Sequence, residues 1–213
     1  TGTTDTFTIV LNAQPAENVV LTITSGDTGE TTVNSPLTFT PANWDTPQTV
    51  TVTGVDDNII DGTITSTLTI SVVDGVSDDD FHSVNDQTVS VSTTDNDTAG
   101  FTITESGGST SVSESGTTDT FTIVLDAEPA SDVVLTVTSG DTGEATVSTG
   151  TITFTSANWD TAQTVTVTGV DDNLIDGTIT STITVAVDDA NSDNGFDSVN
   201  NQTVSATTTD NDV

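Results

Sequence analysis

The sequence predicts an all-β protein made of two tandem, immunoglobulin-like, antiparallel β-sandwiches. Residues 2–11 recur letter for letter as residues 116–125, and residues 43–46 recur as residues 158–161. Thr, Val, Ile, Leu and Phe dominate the runs between turn residues, a composition that favours strands over helices. Residues 164–168 read Thr-Val-Thr-Val-Thr, a strict period of two that places one face on a core and the other in water.

The duplication divides the chain into a first β-sandwich repeat, residues 1–98, and a second, residues 99–213. Each repeat has about 100 residues, which is enough to bury a hydrophobic core. The sequence between the repeats, residues 95–100, contains no flexible Gly/Ser spacer. We therefore expect a stiff array of repeats.

Strand positions follow from the second copy, where Gly, Asp, Asn and Ser separate short alternating runs. Their spacing of about a dozen residues is typical of a sandwich. Seven strands are predicted in that copy, at residues 100–104, 118–125, 132–138, 151–155, 163–168, 178–187 and 202–208.

The first copy lacks a counterpart of residues 100–114, because Thr1 aligns with Ser115, just before the second predicted strand. Its first strand is therefore missing from the sequence. We expect the first repeat to expose an unpaired sheet edge, which could capture a strand from another subunit.

The charge balance excludes several classes of partner. The chain has 33 acidic residues, no Lys and no Arg, giving a formal net charge of -33. Such a charge repels nucleic acid and anionic lipid, and no apolar stretch is long enough for insertion into a membrane. Cys is absent as well, so neither disulfides nor Lys-dependent cross-links can stabilise the repeats. These features favour an extracellular or cell-surface protein that recruits metal cations.

Strand parity predicts where the acidic loops meet. If strands alternate in direction, the loops after odd-numbered strands share one end of each sandwich. Calcium is the cation expected there, because it takes six to eight oxygen ligands, whereas zinc prefers His and Cys. The alternative is that these acids are ordinary solvated turn residues. The candidate ligands are Glu114, Asp141, Glu144, Asp171, Asp172, Asp176, Asp210 and Asp212 in the second copy, and Asp27, Glu30, Asp56, Asp57, Asp61, Asp95 and Asp97 in the first.

Three short motifs carry a family resemblance: Val112-Ser113-Glu114, Asp171-Asp172 with Asp176-Gly177, and Asp210-Asn211-Asp212. Together they resemble a divergent Calx-beta repeat. The Asn-Trp-x-x-x-Gln-Thr-Val-Thr-Val-Thr-Gly-Val-Asp-Asp stretch is also similar to repeats of large bacterial surface proteins and adhesins. The resemblance covers the second copy and all but the first strand of the first. It implies calcium-ligand roles for Glu114, Asp171, Asp172, Asp176, Asp210 and Asp212.

Two departures from that family pattern bear on calcium binding. The middle motif ends in Asp176-Gly177 where the family has an acidic pair, and the first copy has no equivalent of Glu114. We therefore expect the first copy to bind fewer ions or to bind them less tightly. A calcium ion at the closing Asp95-Asn96-Asp97 would stiffen the junction between neighbouring repeats.

The sequence offers no catalytic constellation. The single histidine, His82, aligns with Asp197, so the repeats share no histidine chemistry, and we expect a surface position for it. Trp44 and Trp159 are expected to plug the ends of the cores, although an aromatic platform for a sugar is an open alternative.

The predicted function is a calcium-stabilised structural repeat of a large surface protein, acting as a stiff spacer or stalk in cell adhesion. Neighbouring repeats of the same chain or fibre are its expected partners. Two alternatives remain: a carbohydrate- or ligand-binding module that contacts a glycan or cell-surface ligand, and a filament subunit assembled by strand exchange.

Overall fold

A computed structural model describes residues 2–213 and confirms the all-β prediction. The chain forms two compact units. The first comprises residues 2–57 and 61–96, and the second comprises residues 58–60 and 97–213. The only helices described are short 3-10 turns, and none of them is long and apolar enough to cross a membrane.

The first unit is a sandwich of two antiparallel sheets with the strand orders β1-β5-β3 and β4-β2-β6-β7. Its buried core contains Val19, Phe39, Val50 and Leu68. The strands are β1 (Thr4–Ile9), β2 (Val19–Ser25), β3 (Thr31–Val33), β4 (Leu37–Phe39), β5 (Gln48–Gly54), β6 (Ile64–Val72) and β7 (Gln87–Thr93).

The second unit is a fuller sandwich, with sheets ordered β12-β14-β10-β8 and β13-β11-β15-β16-β9. Side chains from both sheets, including Phe121, Leu135, Phe154 and Val165, are completely buried in one core. The strands are β8 (Phe101–Glu105), β9 (Thr110–Ser113), β10 (Thr118–Leu125), β11 (Val133–Ser139), β12 (Ala145–Val147), β13 (Thr151–Phe154), β14 (Gln163–Gly169), β15 (Ile179–Val187) and β16 (Gln202–Thr209).

The prediction of seven strands in the second copy was wrong, because its described residues form nine. The first predicted strand continues, after a 3-10 turn at Ser106–Gly108, into β9 in the opposite sheet. Gly107 and Gly108 have φ values of 66° and 83°, which lets the chain cross between sheets. The other addition, β12, follows Glu144. Neither β9 nor β12, of four and three residues, was recognised from alternation alone.

The parallel pairing of β9 with β16 closes one edge of the second sandwich. Its register aligns Thr110 with Ala206 and Ser113 with Thr209. The ladder extends one residue further, since the backbone N–H of Glu114 donates to the carbonyl of Thr209 at 3.1 Å. This pairing fixes Glu114 at the end of the strand and beside the C-terminal segment.

The first unit has no counterpart of β8 or β9 among its described residues. As a result, β1 pairs only with β5, and β7 pairs only with β6. Within residues 2–213, β1 and β7 are therefore edge strands, whereas their counterparts β10 and β16 each have a second partner.

Two aspartates that the sequence analysis did not single out tie down the loop after the longest strand of each unit. Asp78 accepts backbone N–H bonds from Ala16, Glu17 and Asp80 at 2.6, 2.9 and 3.0 Å. Asp193 accepts equivalent bonds in the second unit, from Ser131 and Gly195. The N–H donors of Glu17 and Asp80 lower the pKa of Asp78, because they stabilise its ionised form. Asp78 and Asp193 therefore stabilise the backbone of these loops by accepting its N–H groups.

A matched pair of glycines tests the role of β9. A Cβ at Gly169 would overlap the backbone carbonyl of Ser113, whereas a Cβ at the equivalent Gly54 would lie 3.6 Å from Thr93 Cγ2, an ordinary contact. We expect Gly169→Ala to destabilise the second unit by about 1–3 kcal/mol through overpacking. Gly54→Ala is expected to leave the stability of the first unit nearly unchanged.

Denaturant unfolding followed by tryptophan fluorescence measures both effects. In a Trp44→Phe background Trp159 reports on the second unit, and in a Trp159→Phe background Trp44 reports on the first. Equal destabilisation by the two substitutions would contradict the close approach of β9 to Gly169.

Candidate metal centre

Carboxylates from four segments of the second unit meet at one end of its sandwich. Ligand atoms of Glu114, Asp210 and Asp212 lie within 4.8 Å of one another, and so do those of Glu114, Glu144 and Asp176. Glu114 belongs to both groups and lies between them. The structure thus brings together five of the eight residues predicted for this copy.

Glu114 is held by backbone hydrogen bonds on both sides. Its side chain is only 1% exposed, although it is an acid. Besides its own N–H bond to Thr209, its Oε2 accepts the backbone N–H of Asn211 at 3.1 Å. A carboxylate buried to this degree needs a compensating charge or a proton.

Glu144 is positioned by the turn before β12. Its carbonyl accepts the backbone N–H of Val170 at 2.8 Å and the hydroxyl of Thr208 at 3.3 Å. Its residue exposure is 7%, and the buried Oε2 has no hydrogen-bond partner among the described residues. Buried polar atoms in native proteins nearly always have a partner, so a water molecule, a proton or a cation is needed to satisfy this oxygen.

The loop after β16 contributes Asp210 and Asp212. Asp210 accepts backbone N–H bonds from Asp212 at 2.6 Å and from Gly177 at 2.8 Å. Gly177 has a φ of 78°, which brings the preceding Asp176 loop up to this carboxylate. Asp212 Oδ2 is a second buried oxygen that lacks a partner in residues 2–213.

The electrostatics of the centre oppose full ionisation. Burial raises the pKa of Glu144, and the neighbouring Asp176 and Asp141 raise it further. Burial likewise raises the pKa of Asp212, with Asp210 adding to the effect. The Asn211 N–H lowers the pKa of Glu114, but burial and three aspartates outweigh it, so the net shift is upward. Repulsion among acids and the loss of water both favour neutral forms.

The pKa of Asp210 moves in the opposite direction. The N–H groups of Asp212 and Gly177 lower it, because they stabilise the charged carboxylate. The centre therefore combines one acid that is held ionised with three whose ionisation is opposed. A divalent cation would reverse the repulsion and let all of them ionise together.

The donor set fits calcium better than zinc. Every converging ligand is a carboxylate oxygen, and the chain has no Cys and one His. Calcium accepts six to eight oxygens in flexible geometry, including carbonyls and water. The two buried, unpartnered oxygens on Glu144 and Asp212 can supply such ligands without breaking an existing hydrogen bond.

The first unit contains a smaller and more open version of the centre. Glu30, Asp57 and Asp61 have ligand atoms within 4.8 Å of one another, with Glu30 half-buried and the other two exposed. Burial and the charge of Asp61 raise the pKa of Glu30. Asp95 accepts backbone N–H bonds from Asp61 at 3.1 Å and from Gly62 at 2.9 Å. Among residues 2–96, no glutamate joins this group in the place that Glu114 has in the second unit.

The other predicted ligands fall outside these three-carboxylate groups. Asp27 and Asp141 each accept the N–H of a glycine in their own turn at 3.0 Å. Asp172 accepts the N–H of Leu174 at 2.6 Å, and Asp171 accepts the side-chain amide of Asn211 at 3.0 Å. Asp56, Asp95 and Asp97 are likewise absent from the groups found among the described residues.

Of two supporting residues, sequence reasoning named Asn211 only as part of the closing Asp210-Asn211-Asp212 motif and missed Thr208 altogether. Asn211 links Glu114 and Asp171 through its backbone and side-chain N–H groups, and the buried Thr208 holds the Glu144 carbonyl. The period of β16 could have indicated an inward-facing Thr208. The bond to Glu144 depends on β12, which the sequence did not reveal.

The two tryptophans and the single histidine have ordinary surroundings. Trp159 is half-buried and packs against the second core, as expected of a plug. Trp44 is half-buried, and its carbonyl accepts the N–H of Leu11 at 3.1 Å. His82 is exposed at the end of a 3-10 turn, where Nε2 lies 3.1 Å from the carbonyl of Ser77.

Comparison with known proteins identifies similar folds at low identity. No protein-family model matches the chain. No curated protein matches it either. Domains 1–6 of surface layer protein SbsC are 19% identical over 89% of this chain, with a TM-score of 0.40, and the match spans 20% of that chain. SbsC domains 4 and 5 are 18% identical over 89% of this chain and 70% of that one, with a TM-score of 0.38.

The CBD12 segment of CALX1.2 is also similar in fold. It is 15% identical over 86% of this chain and 73% of that chain, with a TM-score of 0.34. Likenesses this low do not bear on function.

The raised pKa values predict how stability depends on pH when no calcium is bound. A Glu with a raised pKa in the fold binds its proton more tightly there than in the unfolded chain, so ionisation destabilises the fold as pH rises above 4.5. In a chelator, Glu144→Gln should match the parent at low pH. It should become progressively more stable than the parent as the pH increases towards neutrality.

Denaturant unfolding at several pH values, followed through Trp159 in the Trp44→Phe background, measures that difference. Asp160→Asn, in an exposed loop, serves as the control and should show no such trend. A constant difference between Glu144→Gln and its parent at all pH values would show that Glu144 is not destabilised by ionisation.

Proposed function

We propose that this chain is a calcium-stabilised structural repeat of a large extracellular surface protein, acting as a stiff spacer or stalk in cell adhesion. The observation that carries the proposal is the centre around Glu114. There, buried acids converge, and Glu144 and Asp212 each have a buried oxygen without a partner.

The charge of the whole chain supports a cation as the missing component. With 33 acids and no Lys or Arg, the protein contains no basic side chain that could neutralise the buried Glu114 and Glu144. Either protons or external cations must do so. At neutral pH, a divalent ion satisfies several carboxylates at once without keeping each one protonated.

The two units differ in how strongly they would bind. The second offers the buried Glu114 and Glu144, whereas the grouped carboxylates of the first are half-buried or exposed. Fewer and better-hydrated ligands give weaker calcium binding. We therefore propose a tighter site in the second unit and a weaker one in the first.

A structural role accounts for these features better than catalysis. The calcium ligands lie where loops between strands end, so the ion would tie Glu114, the 171–177 loop and the C-terminal segment together. The single histidine lies on an exposed turn and belongs to none of the groups of described residues that could hold a metal ion. Calcium concentrations outside cells suit modules with dissociation constants of 10⁻⁴ to 10⁻³ M.

The stiff-spacer part of the proposal rests on duplication and on the short sequence between the repeats. Asp95-Asn96-Asp97 repeats the closing Asp210-Asn211-Asp212 motif immediately before the second copy. An ion held there would restrict rotation about the connecting residues. Small-angle scattering should show a narrower distribution of dimensions with calcium than with chelator, and identical profiles would remove this part of the proposal.

Calcium should stabilise the second unit strongly. The effect of Glu144→Gln on the Tm should have opposite signs with calcium and with chelator. At 100 times the dissociation constant, calcium adds about 2.7 kcal/mol to the free energy of unfolding. With calcium, Glu144→Gln removes a ligand and lowers the Tm below that of the parent. With chelator, the same variant relieves repulsion and raises the Tm above it.

Scanning calorimetry and calcium titration of the full chain measure both effects, with Asp160→Asn as the exposed control. Magnesium, which demands six ligands in near-octahedral geometry, should stabilise less than calcium. A Tm that does not respond to calcium would overturn the proposed function. So would a Glu144→Gln variant that responds to calcium as the parent does.

A further inference from the structure

A short segment of the chain between β5 and β6 belongs to the second unit and not to the first. It comprises residues 58–60. The carbonyl of Asn58 accepts the backbone N–H of Glu128 at 2.7 Å, and Ile59 forms a parallel β-bridge with Glu128. The second unit thus includes a piece of chain that the sequence assigns to the first repeat.

The apolar contact of this segment is made by Ile60, which packs against the hydrophobic core of the second unit. A Cβ at Gly195 would lie 3.8 Å from Ile60 Cγ2, so Ile60 lies over the 3-10 turn Asn194–Phe196. We call Asn58-Ile59-Ile60 the tip. The tip-binding site is the surface formed by Glu128 and that 3-10 turn.

The second repeat contains the same tip at Asn173-Leu174-Ile175, which aligns with residues 58–60. There, Leu174 is 63% exposed and Ile175 is 72% exposed, whereas Ile59 and Ile60 are half-buried. Equivalent apolar side chains are therefore covered in one copy and exposed in the other. What separates the two copies is the tip-binding site, because the residue types are nearly the same.

The backbone around the exposed tip is fixed by hydrogen bonds of its own loop. The N–H of Leu174 donates to Asp172 Oδ1 at 2.6 Å, and the N–H of Gly177 donates to Asp210 Oδ2 at 2.8 Å. A loop that is already ordered loses less conformational entropy when it binds. The exposed tip therefore has the properties of a preformed interaction surface.

The tip and the tip-binding site lie at opposite ends of the second sandwich. Strands β10 and β14 pair antiparallel, so the end of each lies beside the start of the other. The tip follows the end of β14, and Glu128 follows the end of β10. A repeat with complementary surfaces at its two ends forms a head-to-tail interface, which extends into a linear array.

We propose that Asn173-Leu174-Ile175 is an interaction surface and that its partner is the tip-binding site of another repeat of this kind. The carbonyl of Asn173 accepts the N–H at the position of Glu128, and Ile175 packs as Ile60 does in the second unit. The contact depends on apolar burial and on a backbone hydrogen bond, so it needs no basic residue.

Candidate calcium ligands flank the tip in both repeats. Asp172 and Asp176 enclose residues 173–175, and their equivalents enclose residues 58–60. A cation bound by Asp176 would restrain the base of the tip and strengthen docking, a coupling that rests on the proposed function. The docking itself rests on the tip and its binding site.

The chain has no cysteine, so a single introduced thiol reports on the tip through its rate of labelling by a maleimide. Ile175→Cys should react faster than Ile60→Cys, because the position of Ile60 is covered. A longer chain, with residues 99–213 placed directly after Val213, supplies a further tip-binding site. Val213 aligns with Thr98, so the existing junction is reproduced. In the longer chain Ile175→Cys should react about tenfold more slowly, since a docked thiol reacts only when the tip opens.

A substitution in the tip-binding site tests which surface covers the tip. The first repeat has Asp80 where the second has Gly195, so the turn accommodates an aspartate. In the added repeat, Gly195→Asp should restore rapid labelling of Ile175→Cys, because a carboxylate would replace an apolar contact. Asp160→Cys, in an exposed loop, is the control and should react equally in every chain.

Labelling with calcium and with chelator separates docking from the proposed function. Protection in both conditions that Gly195→Asp removes would uphold docking even if the chain bound no calcium. Protection only with calcium would uphold docking and its coupling to the ion. Equal reactivity of Ile175→Cys in the two chains would overturn the docking proposal. Protection that survives Gly195→Asp would also overturn it, because another surface would then cover the tip.

Discussion

The parallel pairing of β9 with β16 is the interaction on which the rest of the structure depends. It closes the second sandwich at an edge that would otherwise be open, and it extends to Glu114 through the Thr209 carbonyl. The position of the buried Glu114 therefore depends on β9, a strand of only four residues. The same pairing marks the difference between the two units, since the described residues of the first include no strand that pairs with β7 as β9 pairs with β16.

The protonation behaviour of the acids around Glu114 then follows from electrostatics. A protein without Lys or Arg cannot neutralise buried acids internally, so burial and mutual repulsion raise the pKa of Glu114, Glu144 and Asp212. The backbone partly offsets this by donating N–H groups to Asp210. Under the proposed function, a cation would complete the arrangement, because the fold has concentrated negative charge where loops from opposite sheets end.

Sequence reasoning was most accurate where periodicity is long and strong. The alternation in β14 and the duplicated motifs predicted two sandwiches, and strand parity placed Glu114, Glu144 and Asp176 at the same end. It failed for β9 and β12, which are too short to show a period and are stabilised by tertiary pairing. It also could not distinguish ligand-like acids from those that hold the backbone, such as Asp78, because both follow turns and differ only in which N–H groups surround them.

The central claim is that the acids around Glu114 form a cation site, and the most direct measurement is an anomalous difference map from crystals grown with calcium. The account predicts a peak within 2.3–2.6 Å of carboxylate oxygens from Glu114 and Glu144, the usual calcium–oxygen distance. A map without such a peak, with Glu144 Oε2 hydrogen-bonded to water or to a protonated neighbouring carboxyl, would contradict it.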